Sequence, residues 1–289
     1  MLPEYLIQSL CSAPLKKRNC LFLGLCANRG DLKSGKSSVA DGKDAFFART
    51  IKNGMIRTNS PTLLESSASH AALRSVSLPG PVGRLEALVN EGSPDAPFAA
   101  LVCHPHPLGC GNLHNKVVYR AMKALNDPAW GLGWPVLRFN FRGTGLSQGV
   151  HDGEAEAGDV RAALDWLDNE YRRPLVVVGF SFGAVMAISA CCPPCQSSAS
   201  VRALALLGLP IHAEGRDYHY SFLDHCRLPK LFLSGASDLY APAAQLAEVV
   251  ASASEPKSMV LLPRADHFFS GQLEPMQSAL NGWLKEQLP

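Results

Sequence analysis

The pentapeptide GFSFG at residues 179–183 constrains this chain more tightly than any other stretch. Leu175, Val176, Val177 and Val178 lead into it, and an Ala/Met/Ile-rich run over 184–190 follows. A short β-branched run bounded by glycine predicts a buried strand, and the run after it predicts a packed helix. G-x-S-x-G between a strand and a helix makes a sharp turn that lifts the serine hydroxyl above the sheet edge. Both glycines are needed, because side chains there would collide with the neighbouring strand and helix. Ser181 is therefore the candidate nucleophile.

The rest of the chain supplies a sheet for that turn. Residues 74–78, the turn PGPVG and residues 84–89 predict an antiparallel hairpin at a sheet edge. Further strands are expected over 98–103, 135–140, 203–207, 231–234 and 259–262. They alternate with helices over 115–125, 155–171, 243–251 and 273–288, the second carrying Val160, Ala163, Leu164 and Leu167 on one face. Such alternation predicts a doubly wound, mostly parallel α/β sheet of about eight strands, covered on both faces. Its crossovers are right-handed by default. The longest irregular insertion, 209–228, is too short for a folded lid domain.

Composition narrows the class. Across 289 residues, 47% hydrophobic and 18% charged content suits a soluble globular enzyme, and a net charge of +2 argues against nucleic acid or an acidic membrane as partner. No stretch approaches the ~18 apolar residues of a membrane-spanning helix. Residues 1–70 hold 10 Lys+Arg against 5 Asp+Glu and show no sustained periodicity. We read 1–70 as a weakly ordered basic extension and 71–289 as the catalytic domain. Lys16, Lys17 and Arg18 precede an apolar run over 20–27, faintly like a secretory core, but it begins late and Leu25 is too large for a lipoprotein cleavage box. The cytoplasm is the expected compartment; targeting or export through this segment, or a misplaced start codon, is the alternative. GDLKSGKS at 30–37 fits G-x-x-x-x-G-K-[ST], but Asp41 and Gly42 interrupt any following helix and too few residues remain for a nucleotide-binding sheet. It reads as a chance match. The nine cysteines are odd in number and irregularly spaced. Cys192 and Cys195 form a C-x-x-C without a second pair, so free thiols in a reducing compartment are expected. Neither cofactor nor metal is called for, and the oligomeric state stays open.

A serine hydroxyl needs a base to take its proton during attack. His267, in PRADHFFSG after the last strand, stands at the same sheet edge as Ser181. The base needs a carboxylate to hold its tautomer. Asp238, in GASDLY after the strand over 231–234, fills that place. Asp266 adjoins His267 and points elsewhere, and the segment after Gly208 offers no acid before Glu214. An oxyanion needs two N–H donors. Phe182 supplies one. In the loop after 98–103, Pro105 and Pro107 lack an N–H, which leaves His104, His106 and Leu108, with His106 the best placed. His104 and His106 as a metal pair lack a third ligand at an obvious spacing. Arg142 and Asp159 are expected to form a structural ion pair.

Three segments carry a family resemblance: HPHPLGCG (104–111), RFNFRGTGLSQG (138–149) and ADHFFSG (265–271). Residues 73–289 resemble the α/β-hydrolase superfamily, and more narrowly its small lidless bacterial-type serine hydrolases, close to dienelactone-hydrolase-like and dipeptidyl-peptidase-like enzymes. The order Ser181, Asp238, His267 is that of the superfamily. The resemblance implies an acyl-enzyme mechanism: Ser181 attacks, His267 shuttles the proton, Asp238 orients it, and the amides of His106 and Phe182 hold the oxyanion. It implies a small-molecule substrate, a small carboxylic ester, with amide and thioester as alternatives. A catalytically silent scaffold used for binding is the rival. The chain departs from the pattern at Cys110, where another glycine is expected.

Overall fold

In β5 (Leu175–Phe180) every residue is buried, which only a strand covered on both faces allows. The strand is central to the architecture. The computed structural model describes residues 72–193, 200–213 and 216–288. The expectations for residues 1–70, including the octapeptide at 30–37, lie outside the described residues.

In chain order, β1 (Leu73–Gly80) and β2 (Gly83–Asn90) form the expected antiparallel hairpin. Then come β3 (Ala99–Cys103), α1 (Lys116–Asn126), β4 (Val136–Phe139), α2 (Ala157–Tyr171), β5 and α3 (Phe182–Cys191). β6 (Val201–Leu207), the two-residue strands β7 (His212–Ala213) and β8 (Arg216–Asp217), and β9 (Lys230–Gly235) follow, then α4 (Ala243–Ser252), β10 (Lys257–Leu262) and α5 (Leu273–Gln287). The eight-stranded sheet runs β1-β2-β4-β3-β5-β6-β9-β10. It is parallel from β4 to β10, and β2 joins β4 antiparallel.

Alternation along the strands sends residues to two cores. Leu101, Val177, Leu204, Leu206 and Phe232 pack with apolar residues of α2, α3 and α4. Ala100, Val102, Val176, Val178, Leu207 and Leu233 pack on the other face with those of α1 and α5. Each fully buried Leu or Val contributes about 1.5–3 kcal/mol, so the two layers hold the sheet that carries the loops. Helix starts are locally encoded. The side chain of Asn115 accepts from Val117 N at 2.9 Å and begins α1. The described residues of the insertion over 209–228 form the paired strands β7 and β8 and a 3-10 turn, Ser221–Asp224, and no lid domain. Among the described residues no helix is long and apolar enough to cross a membrane.

The free-thiol expectation is corrected at one pair. Cys192, just after α3, is disulfide-bonded to Cys226, with their Cα atoms 5.2 Å apart and a sequence separation of 34. The chain leaves the end of α3, runs out along β6 and returns through the insertion. Nothing in the spacing of the cysteines shows that return. Cys103 and Cys110 are free, and Cys195 lies outside the described residues.

Glycine 183 fixes how closely α3 can approach β3. A Cβ there would lie 2.5 Å from Cys103 O and 2.6 Å from His104 O, whereas one at Gly282, inside α5, meets nothing within 4 Å. Gly183→Ala is therefore expected to destabilise the full chain by about 3 kcal/mol, near 10 °C in Tm. Gly282→Ala should raise Tm slightly, by up to about 1 kcal/mol of helix propensity. Thermal unfolding checks both, and a Gly183→Ala protein melting with the wild type would contradict the packing.

Candidate active site

β5 ends in a backbone that cannot continue as strand. Ser181 N still donates to Leu207 O of β6 at 2.8 Å. The residue then takes φ +54° and ψ −120°, and α3 begins at Phe182. A non-glycine residue held there stores about 1–3 kcal/mol of strain. The turn survives because its flanks leave it no alternative: a Cβ at Gly179 would lie 2.4 Å from Gly183 O.

The other two side chains arrive on the loops after neighbouring strands. β9 and β10 lie side by side, and the ladder extends past both: Ala236 N donates to Leu262 O and Ser237 N to Ala265 O, each at 2.9 Å. This binding of loop to loop carries Asp238 to His267. His267 Nδ1 lies 2.8 Å from Asp238 Oδ2, and its Nε2 lies 2.9 Å from Ser181 Oγ. All three residues are at least nine-tenths buried. The imidazole is walled by the rings of Tyr240 (4.6 Å), Phe180 and Phe268 (both 5.2 Å). Gly208 makes room for it, since a Cβ there would come within 3.2 Å of the ring.

Burial by itself would raise the pKa of Asp238. The hydrogen bond from His267, the favourable electrostatics of that ring and the amides of Tyr240 and Ala241 outweigh it and hold the carboxyl below its ordinary range. Asp238 Oδ1 accepts those two amides at 2.8 and 3.1 Å, and Oδ2 also accepts from Ser234 Oγ at 3.1 Å. An ionised Asp238 accepts from His267 Nδ1–H and leaves Nε2 as the acceptor for the Ser181 hydroxyl. Asp266 turns away, as its position implied: its Oδ1 accepts Phe268 N at 3.0 Å and Ser270 N at 2.9 Å.

The HPHP loop is held by the second sequence motif. His104 is fully buried. Its Nδ1 donates to Pro105 O at 2.6 Å and its Nε2 accepts from Phe141 N at 3.0 Å. Burial pushes its pKa down to about 4, so it is a neutral strut with both ring nitrogens engaged by backbone. Arg138 Nη1 donates to Leu113 O, and Asn140 Oδ1 accepts from Leu113 N while its Nδ2 donates to Glu86. Arg142 binds Asp159 through Nε and Nη2, the shortest contact 2.7 Å, and both residues are buried. This is the structural ion pair expected of them. His106 Nδ1 accepts from Leu108 N at 3.2 Å, and its ring packs edge-on against Phe182 at 4.9 Å. Phe182 N is the first amide of α3, one of the donors a helix start leaves unpaired within the helix. Cys110 takes φ +61°, which explains why glycine is the expected residue there.

Two residues behind this loop had no role in the sequence reading. Glu156, fully buried beside the start of α2, accepts Asp152 N at 2.9 Å and Gly153 N at 3.0 Å. Its Oε1 lies 2.6 Å from Nδ1 of His151, whose ring packs 4.7 Å from His106 and 5.4 Å from Phe182. The helix itself was readable from its apolar face; the contact across the loop before it was not.

Ser181, His267, His106 and Phe182 open onto a cavity of about 90 Å³. Pro105, Gly109 and Asn115, Pro210, Ala213 and Tyr218 of the insertion, and Tyr240 and Phe268 also line it, and among the described residues no Lys, Arg, Asp or Glu does. A base beside a serine hydroxyl, a buried carboxylate behind the base and amides at a helix start form an arrangement able to perform acyl transfer.

A family model described as an alpha/beta hydrolase domain matches residues 109–279. An uncharacterised protein of Rickettsia prowazekii is 38% identical over 214 residues, covering 71% of this chain and 86% of that protein. Among solved structures, an alpha-beta serine hydrolase homologue from Coxiella burnetii is 32% identical with a TM-score of 0.65, covering 73% of this chain and 97% of that one. A lidless α/β serine hydrolase from Xanthomonas campestris is 30% identical with a TM-score of 0.64, covering 75% and 95%.

The buried strut gives the fold a pH dependence of definite sign. His104 falls from 6.5 to about 4 on folding, so between those values the unfolded chain binds a proton that the folded chain does not. Its share of stability is lost as the pH drops through that window, about 3 kcal/mol in all. Urea unfolding of wild type and His104→Gln from pH 7 to pH 4 should show a shallower decline in the variant. Parallel declines would contradict the neutral-strut account.

Proposed function

We propose that this chain, which belongs to the alpha/beta hydrolase domain family, is a serine hydrolase that cleaves a small carboxylic ester through an acyl-enzyme. One observation carries the reading: the continuous path from Ser181 Oγ to His267 Nε2 at 2.9 Å, and from His267 Nδ1 to Asp238 at 2.8 Å. That the relatives from Coxiella burnetii and Xanthomonas campestris bear the name serine hydrolase supports it.

In this reading Ser181 Oγ attacks the ester carbonyl while His267 Nε2 takes its proton. Charge develops on the carbonyl oxygen, beside the N–H of Phe182 at the positive end of α3 and the N–H of His106. The tetrahedral intermediate collapses, His267 returns the proton to the leaving oxygen, and the alcohol departs. Water then attacks the acyl-serine by the same proton path in reverse, releasing the acid. Asp238 stays ionised and stabilises the imidazolium. Amides and thioesters are alternative substrates for the same steps.

The rival, a silent binding scaffold, leaves two features without purpose. Strain at Ser181 and a buried carboxylate on a buried imidazole both oppose stability, and binding requires neither. We assign the activity to residues 71–289 and treat 1–70 as an extension to it. For the compartment, the cytoplasm remains our reading; the Cys192–Cys226 disulfide is the observation that favours export or targeting instead.

The two neighbouring acids separate the roles. Asp238→Asn should leave the fold intact and lower kcat for a chromogenic acetate ester by up to ~10⁴-fold, through the wrong imidazole tautomer. Asp266→Asn should stay within a few-fold of wild type, with KM nearly unchanged in both. Steady-state kinetics with circular dichroism as the folding control decide it. Wild type without ester turnover, or the reverse ranking of the two variants, would sink the assignment.

A further inference from the structure

Backbone amides act on a developing oxyanion only where their positions are fixed. We infer, resting on the serine-hydrolase reading above, that His151, seated by Glu156, is a positioning residue for the oxyanion site. Its ring holds His106 and Phe182 so that the two amides assigned above stay aimed at one point.

A triangle of rings carries the inference. His106 packs against His151 at 4.7 Å and against Phe182 at 4.9 Å, and His151 packs against Phe182 at 5.4 Å. Their planes cross at 82°, 62° and 75°, the edge-to-face arrangement that aromatic pairs favour. In a close-packed interior, none of three mutually touching rings can tilt without disturbing the other two. Two corners of the triangle, His106 and Phe182, belong to the residues whose amides are assigned to the oxyanion. Phe182 is held further by Phe141 at 5.5 Å and by its place as the first residue of α3. His106 stands between two prolines, and its carbonyl accepts Gly109 N and Gly111 N, both at 3.0 Å. Those bonds close the loop on itself, whereas the ring contacts tie residue 106 to α3.

His151 in turn is held from α2. Glu156 is fully buried at the start of that helix, and its Oε1 lies 2.6 Å from His151 Nδ1. Its oxygens also accept Asp152 N at 2.9 Å and Gly153 N at 3.0 Å, which fixes the carboxyl within its own loop. α2 is anchored by Val160, Ala163, Leu164 and Leu167 in the core and by the Arg142–Asp159 pair. The helix thereby reaches, through Glu156 and His151, the two residues beside Ser181. An apolar ring would fill the same space, but the carboxyl also sets the orientation of this one, since a buried polar pair is satisfied in few arrangements. Orientation counts here because a small misplacement of a group that meets the transition state lowers the rate steeply.

The test is steady-state kinetics of the full chain on a chromogenic acetate ester, with the inhibition constant of a trifluoromethyl ketone measured beside it. Addition of Ser181 Oγ to that ketone puts an alkoxide where the ester oxygen would carry its charge, so its binding reads the oxyanion site. His151→Asn keeps an N–H within reach of Glu156 and removes the ring. It should fold by circular dichroism, lose about ten- to a hundredfold in kcat and hold KM within about twofold. The ketone's inhibition constant should rise by the same factor as kcat falls. Glu156→Gln, which loosens the ring without removing it, should show the same pattern at about three- to tenfold, and it decides the matter if His151→Asn does not fold. A pair that served packing alone would lower Tm and leave both readouts of the folded variants in place. That result, a loss confined to KM, or loss of fold in both variants overturns the inference while the reaction class stands. Failure of the reaction class looks different: the wild type turns over no ester and binds no ketone, which overturns both.

Discussion

The meeting of β5, α3 and the end of β3 leaves no room for a Cβ at residue 179 or 183, and most of the molecule follows from that contact. Glycine at those two positions lets the chain reverse within one residue. The reversal puts Ser181 at φ +54° and aims its hydroxyl above the carboxyl edge of the sheet. The same close approach brings the HPHP loop against the first turn of α3, where Phe182 offers its amide. A turn of this kind is held only by rigid flanks. The two apolar layers supply that rigidity, with β5 buried along its whole length between them.

Around that contact the site is assembled by loops bound to one another rather than by single strong bonds. The loops carrying Asp238 and His267 continue the β9–β10 ladder beyond the strands, and Gly208 opens the space the imidazole fills. Behind the HPHP loop, a neutral buried His104, the Arg138 and Asn140 side chains and the Arg142–Asp159 pair tie three separate segments together. These buried polar groups add little net stability, because desolvation offsets much of what their contacts return. Their contribution is position: the contacts they make form in one arrangement of the loops, the one that sets the HPHP loop beside the start of α3.

Much of this was legible in the sequence because the signals were local. The β-branched run before Gly179, the HPHP and RFNFRG segments, and acids and histidines placed just after predicted strands fixed the sheet and brought together Ser181, Asp238 and His267. What stayed hidden depends on distant segments meeting. Cys226 lies 34 residues from Cys192, and only the return of the insertion beneath α3 pairs them. The His151–Glu156 contact needs the fold of the whole 149–156 loop against His106 and Phe182. Gly208 looks like an ordinary strand end until His267, 59 positions later in the numbering, is seen to occupy the space beside it. β7 and β8 are two residues each, too short for any periodic signal.

The central claim is that Ser181 carries the acyl group during turnover. Rapid acid quench of the full chain with an excess of a nitrophenyl acetate ester, followed by peptide mass mapping, tests it directly. The peptide containing GFSFG should gain one acetyl group on Ser181 within the first turnover, in step with a burst of nitrophenol, and the Ser181→Ala protein should show neither. Turnover with no acetyl group on Ser181, or with full activity retained by Ser181→Ala, would contradict the account.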